Sequence, residues 1–136
     1  MDSQIKKLSE LMASKQISCV ELTQKYIDAI ENENNKINAY VNQTPDAAIE
    51  AAKRVDEKIA SGETLLPLEG IPMTLKDNIS TKGIETTCCS NILKGYHPIY
   101  NATVWEILKS QNAVLLGKTN MDEFAMGSSS ETSCFA

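Results

Sequence analysis

Residues 113–117, AVLLG, contain no polar position, so a strand formed there must be covered on both of its faces. Such a strand belongs in the middle of a layered structure. Residues 71–76, IPMTLK, read as a second strand. Between the two, residues 103–111 place Val104, Ile107 and Leu108 at the spacing of a short amphipathic helix. Strand, helix, strand in that order indicates an α/β body with at least partly parallel pairing, because a parallel neighbour needs a crossover connection.

The first 62 residues read as helical with one interruption. Ile5, Leu8, Leu11 and Met12 recur at helical spacing. Ser18 and Glu21 have the spacing of a capping box, with Ile17 and Leu22 placed as a hydrophobic staple. Leu22, Tyr26, Ile27 and Ile30 then line one face, which gives out in the polar run 31–36. Residues 37–43, INAYVNQ, alternate and predict a short strand with Ile37, Ala39 and Val41 on one side. Thr44 and Pro45 predict a new helix start, with Thr44 as cap and Ala48, Ala52, Val55 and Ile59 as the buried stripe. Gly62 predicts its end.

A chain of 136 residues fits one domain, here divided into a mainly helical part, 1–62, and the start of an α/β core, 63–136. Only 5% of residues are aromatic, so aliphatic side chains must fill that core. The net charge is −5 and no basic stripe is present, which argues against direct gripping of nucleic-acid phosphates. Cys19, Cys88, Cys89 and Cys134 show no C-x-x-C spacing, and His97 is the single histidine, which argues against a structural zinc site. The adjacent Cys88 and Cys89 are poor disulfide partners for each other. The N-terminus has no apolar signal region, and no apolar run approaches the ~20 residues of a membrane helix. Free thiols in a reducing cytoplasm are the simplest expectation.

The segment GIPMTLKDNI, residues 70–79, holds the most consequential side chain. In a strand, Ile71, Met73 and Leu75 share one face, and Thr74, Lys76 and Asn78 the other. Lys76 then ends an apolar strand on its polar side. A lysine serves as a general base only when its neutral form is accessible, which takes desolvation or nearby positive charge. An enclosed polar pocket with few anions would supply that. Periodicity alone favours a surface lysine that reaches past Leu75 to solvent or pairs with Asp77, and spacing does not single Lys76 out.

Three segments carry a resemblance to a known family. They are residues 70–79, the GIETTCCS stretch at 83–90, and residues 101–133, which end in GKTNMDEFAMGSSSETS. Together they resemble the amidase-signature family, and within it the glutaminase subunits of glutamyl-tRNA(Gln) amidotransferases. The helical start is similar as well. The resemblance implies the N-terminal portion of an α/β/α fold around a mixed sheet, preceded by helices. It implies a catalytic triad of a lysine, a bridging serine with a cis peptide bond and a nucleophilic serine. The lysine maps onto Lys76. Gly127 and Ser128 map onto a stretch that helps shape the substrate pocket.

The resemblance further implies release of ammonia from glutamine, for conversion of Glu-tRNA(Gln) to Gln-tRNA(Gln). GatB-like and GatC-like subunits are the implied partners, with tRNA reached indirectly and no membrane. No cofactor is implied for this chain; ATP and Mg2+ would be used by the partner subunit, in the cytoplasm. The two serines belong to a Gly/Ser-rich segment expected after ETS, whereas the sequence reads Cys134, Phe135, Ala136. The chain is therefore expected to be a partial amidase domain, inactive and marginally stable alone. Ser128, Ser129 and Ser130 lie upstream of that segment and read otherwise as a polar loop. Cys89, Cys134 and Trp105 depart from the small residues or slimmer packing the family pattern suggests. The alternatives are a fragment of another amidase-signature hydrolase and a non-catalytic partner-binding module.

Overall fold

The computed structural model describes residues 3–135. Its elements are α1 (Gln4–Ala13), α2 (Cys19–Ile37), β1 (Tyr40–Gln43), α3 (Pro45–Ala60), β2 (Pro72–Lys76), α4 (Thr103–Ser110) and β3 (Val114–Thr119). The strands form one mixed sheet in the order β1-β3-β2, with β2 parallel and β1 antiparallel to β3. The apolar run thus becomes the central strand, as its lack of a polar side requires.

β3 sends its side chains to two cores. Val114 and Leu116 join Met12 of α1, Leu22 and Ile27 of α2, and Ala48, Ala52 and Val55 of α3. On the opposite face Leu115 meets Leu75 of β2 and Trp105 of α4, with Met73, Ile79, Ile84 and Leu108 around them. Helices therefore cover both faces of a mixed sheet, the arrangement expected from the sequence. Among the described residues no helix is long and apolar enough to cross a membrane.

The capping box forms as predicted: Glu21 N–H donates to Ser18 Oγ at 3.0 Å, and Ser18 N–H donates to Glu21 Oε2 at 2.9 Å. Four local expectations need correction. Helix α2 runs through the polar stretch to Ile37, which is 67% exposed, so Ile37 does not enter β1. The helix ends at Asn38 in the left-handed region, and Asn34 holds the strand entry through bonds to Tyr40 N–H and C=O. Thr44 sits at the N-cap of α3, but its hydroxyl donates to Leu115 C=O at 2.9 Å instead of capping the helix. Ile71 precedes β2 and belongs to the core under α1–α3, opposite Met73 and Leu75. In α4 it is Trp105 that is buried, while Ile107 is 60% exposed. Tertiary contact with Leu75 and Leu115 decides that orientation over the Val104–Ile107–Leu108 stripe.

Candidate functional site

The candidate site lies at the carboxyl ends of the parallel pair β2 and β3. A bulge shapes it. Met73 pairs with Leu115, but Leu75 pairs with Lys118, so β3 carries one extra residue between them. Strict alternation would place Lys118 on the same face as Val114 and Leu116. The extra residue turns it over, onto the face of its partner Leu75. Gly117 makes the bulge possible: its φ is +156°, and an added Cβ would lie 2.2 Å from Asn42 C=O.

Lys118 is fully buried. Its Nζ donates to Ile79 C=O at 2.8 Å and to Thr86 Oγ1 at 2.9 Å, and lies 3.5 Å from Asp77 Oδ1. Burial pushes its pKa down, and the Asp77 carboxylate opposes that shift. Asp77 Oδ2 accepts from Thr87 N–H at 3.0 Å and from the Thr87 hydroxyl at 2.5 Å. Asp77 Oδ1 has no hydrogen-bond partner, so at 3.5 Å the lysine charge answers it by electrostatics more than by a formed bond. One buried ion pair thereby anchors the loop that follows β2.

That loop is strained where it turns. Cys88 and Cys89 both adopt positive φ, at 51° and 52°. Consecutive left-handed residues other than glycine cost energy and persist only where their surroundings hold them. Here Cys88 N–H donates to Asp77 C=O, Cys89 N–H to Thr87 Oγ1, and Ser90 N–H to Thr87 C=O.

Lys76 ends β2, paired with Thr119 and exposed to solvent. Thr119 in turn pairs with Tyr40, so the three form a row across the sheet on the opposite face from Lys118. Among the described residues no hydrogen bond or ion pair engages its Nζ. Asp77, although adjacent, is buried and committed to Lys118 and Thr87, so a Lys76–Asp77 pair does not form. The enclosed pocket expected around Lys76 is not built by these residues.

Gly127 and Ser128 lie in the loop after a 3-10 turn at Glu123–Ala125, and both are exposed. The loop wraps one carboxylate. Asp122 accepts from Ser129 N–H at 3.1 Å, Ser130 N–H at 3.0 Å and the Thr132 hydroxyl at 3.0 Å. The hydrogen bond from Ser130 leads in holding its carboxyl below the usual range. Gly127 packs against that carboxylate, where an added Cβ would lie 2.3 Å from Asp122 Cγ. No hydrogen bond joins Lys76 to Gly127 or Ser128 among the described residues. The connection is indirect: Phe124 N–H donates to Cys88 C=O at 3.0 Å, and Cys88 N–H donates to Asp77 C=O at 3.0 Å.

Sequence reasoning missed Lys118, Thr87 and Asp122. The signal for Lys118 was weak, a charge at the end of an apolar run. The signal for Asp122 was its position ahead of a Gly/Ser loop. A separate cavity of about 400 Å³ opens between α3 and α4, over Ala51, Trp105 and Leu115, with Arg54, Lys58 and Lys109 at its walls. Neither Lys76, Gly127 nor Ser128 lines it. Among the described residues no group of three or more His, Cys, Asp or Glu converges as a metal site.

The family model described as Amidase matches residues 21–136. The chain is 52% identical over 130 residues to the A-type subunit of the glutamyl-tRNA(Gln) amidotransferase from Carboxydothermus hydrogenoformans, covering 96% of this chain and 27% of that protein. It is 51% identical over 126 residues to the same subunit of Rhizobium etli, covering 93% of this chain and 25% of that protein. Among solved structures it is similar to a native peptide amidase from Stenotrophomonas maltophilia, with TM-score 0.82 and 31% identity, over 90% of this chain and 26% of that one. A bacterial aryl acylamidase of the amidase signature family gives TM-score 0.83 and 29% identity, over 90% and 26%. The chain spans about a quarter of the length of the curated relatives it matches.

Proposed function

The chain belongs to the amidase family, and on that premise we propose that it carries the lysine-bearing segment of a glutamine-hydrolysing amidotransferase subunit. One observation carries the reading: identity of 52% across nearly the whole chain to the Carboxydothermus amidotransferase protein, against 31% to the peptide amidase. The position of Lys76 supports it, since ligands of open α/β sheets gather at the carboxyl ends of parallel strands.

In this reading the neutral Lys76 amine takes a proton from a bridging serine, which takes one from a nucleophilic serine. The nucleophile attacks the side-chain amide carbon of glutamine, forming an acyl-enzyme as the C–N bond breaks and ammonia leaves with the transferred proton. Water then releases glutamate. Gly127 and Ser128 shape the pocket for the substrate. Both serines belong to the complete enzyme, of which these residues correspond to about a quarter.

The ammonia passes to a GatB-like subunit, where Glu-tRNA(Gln) activated with ATP and Mg2+ is amidated to Gln-tRNA(Gln). A GatC-like subunit completes this cytoplasmic complex, a ligase overall. The chain itself takes no cofactor.

The test is a graft. These residues replace the matching segment of the Carboxydothermus protein, and ammonia release from glutamine is measured. The graft is expected to be active, and Lys76→Ala in it to lose about 10²–10⁴-fold in rate. Full activity of the alanine variant removes Lys76 from the reaction. The fold likeness to the peptide amidase gives the second reading, a hydrolase of other amides. Turnover of peptide amides without glutamine turnover would select it. An inert graft that still retains a GatC-like partner would leave only a docking role.

A further inference from the structure

Two segments far apart in sequence bring the backbones of two cysteines together beside the candidate site, where the Cys89 Sγ lies 4.0 Å from Asp77 Oδ2. Cys134 N–H donates to Cys89 C=O at 2.9 Å. Bond lengths alone then keep the two Cα atoms within about 6.8 Å, the upper end of the ~4.4–6.8 Å that a disulfide spans. The neighbouring bond from Phe124 N–H to Cys88 C=O, at 3.0 Å, fixes the same two segments against each other. Cys89 is fully buried and Cys134 half-buried, and both are free thiols.

We propose that Cys89 and Cys134 form a reversible disulfide, closed by exchange with a small-molecule disulfide. Cys134, the more accessible, reacts first. Its thiolate attacks one sulfur of the reagent, which releases one small thiolate and leaves a mixed disulfide. The Cys89 thiolate then attacks the Cys134 sulfur and expels the second small thiolate. Two protein thiols are oxidised, one disulfide is reduced to two thiols, and the two protons pass to the departing thiolates.

Burial pushes the Cys89 thiol up, and Asp77 and then Cys134 act in the same direction, while hydrogen bonds with Ser133 and the Met121 backbone oppose them. The second step is therefore the slow one. The closed bond ties the loop around Asp122 to the strained turn at Cys88 and Cys89, and through it to the end of β2. This inference does not rest on the assigned reaction, and its readout needs no enzymatic activity.

The experiment treats the folded 136-residue chain with glutathione disulfide, alkylates the remaining thiols and maps the peptides by mass. The Cys89–Cys134 pair is expected to exceed any other by about tenfold or more, as an intramolecular contact of high effective concentration should. The preference should vanish when the treatment is repeated in concentrated guanidinium. Cys19, buried with its thiol pushed up to about 12, should remain unalkylated in the folded sample and so reports that the fold is intact. Cys134→Ala should abolish the cross-link, and Cys88→Ala should leave it. A mixed disulfide that persists on Cys134, a dominant Cys88–Cys134 bond, or the same pairings with and without denaturant would overturn the proposal.

Discussion

Beneath α1–α3, the face of β3 that carries Val114 and Leu116 is closed by aliphatic side chains and small residues such as Ala48 and Ala52. At the carboxyl end of the sheet, the buried groups are Asp77, Thr81, Thr86, Thr87, Ser90 and Lys118. The two regions are of comparable depth but are held by different forces. The first relies on removal of apolar area from water, which is non-directional and forgiving of small shifts. The second relies on hydrogen bonds and one ion pair, each of which must meet its partner or leave a costly orphan. The polar region anchors the loop that follows β2, on the opposite face of the sheet from Lys76. Precision is thus concentrated in the loop next to the proposed base.

The sharpest way to break this comparison is to remove one member of the ion pair. Asp77→Ala leaves Lys118 buried with only neutral acceptors, and is expected to cost about 3–5 kcal/mol in urea denaturation. Adding Lys118→Met should recover a good part of that loss. A single variant as stable as the parent would mean the polar region is looser than its hydrogen bonds indicate.

Leu22→Ala probes the other side. It removes a buried side chain from the core under α1–α3 and should cost about 2–4 kcal/mol, with the m-value unchanged. If this loss exceeds that of Asp77→Ala, the apolar region is the less tolerant of the two and the contrast is inverted.

The smallest effect concerns pH. Asp122 has a folded-state pKa below its ordinary 3.8, chiefly through the Ser130 hydrogen bond. Its contribution is therefore fully present above pH 3.8 and is lost as pH falls through the lower folded value. Thermal melts of the parent and Asp122→Asn should differ near neutrality and converge toward the acid end. A gap that widens on acidification would show that Asp122 does not act through its charge.

Much of the fold could be read in advance because its signals are local or periodic. Ser18 and Glu21 lie within one turn, so their reciprocal bonds need no tertiary information. The run at 113–117 declares a central strand because no side of it tolerates water. α4 was legible as a helix but not in orientation, since Trp105 is buried only by partners on β2 and β3. At the candidate site Lys76 was legible through resemblance, and Lys118 was not. Alternation assigns Lys118 to the wrong face, and only the extra residue at the bulge, with Gly117 against Asn42 C=O, reverses it.

What the sequence by itself determined is the set of elements, the central place of β3 and the lysine at the end of β2. Those follow from periodicity, capping and apolar runs, which act over a few residues. Only the tertiary structure decided which of two adjacent charges, Lys76 and Asp77, faces water and which is committed to Lys118. It also decided that Cys89 and Cys134 meet, and that Gly127 backs the Asp122 carboxylate. The physical reason is the same in each case: a buried polar group is stable only with its partner in place, and that partner comes from a different segment of the chain.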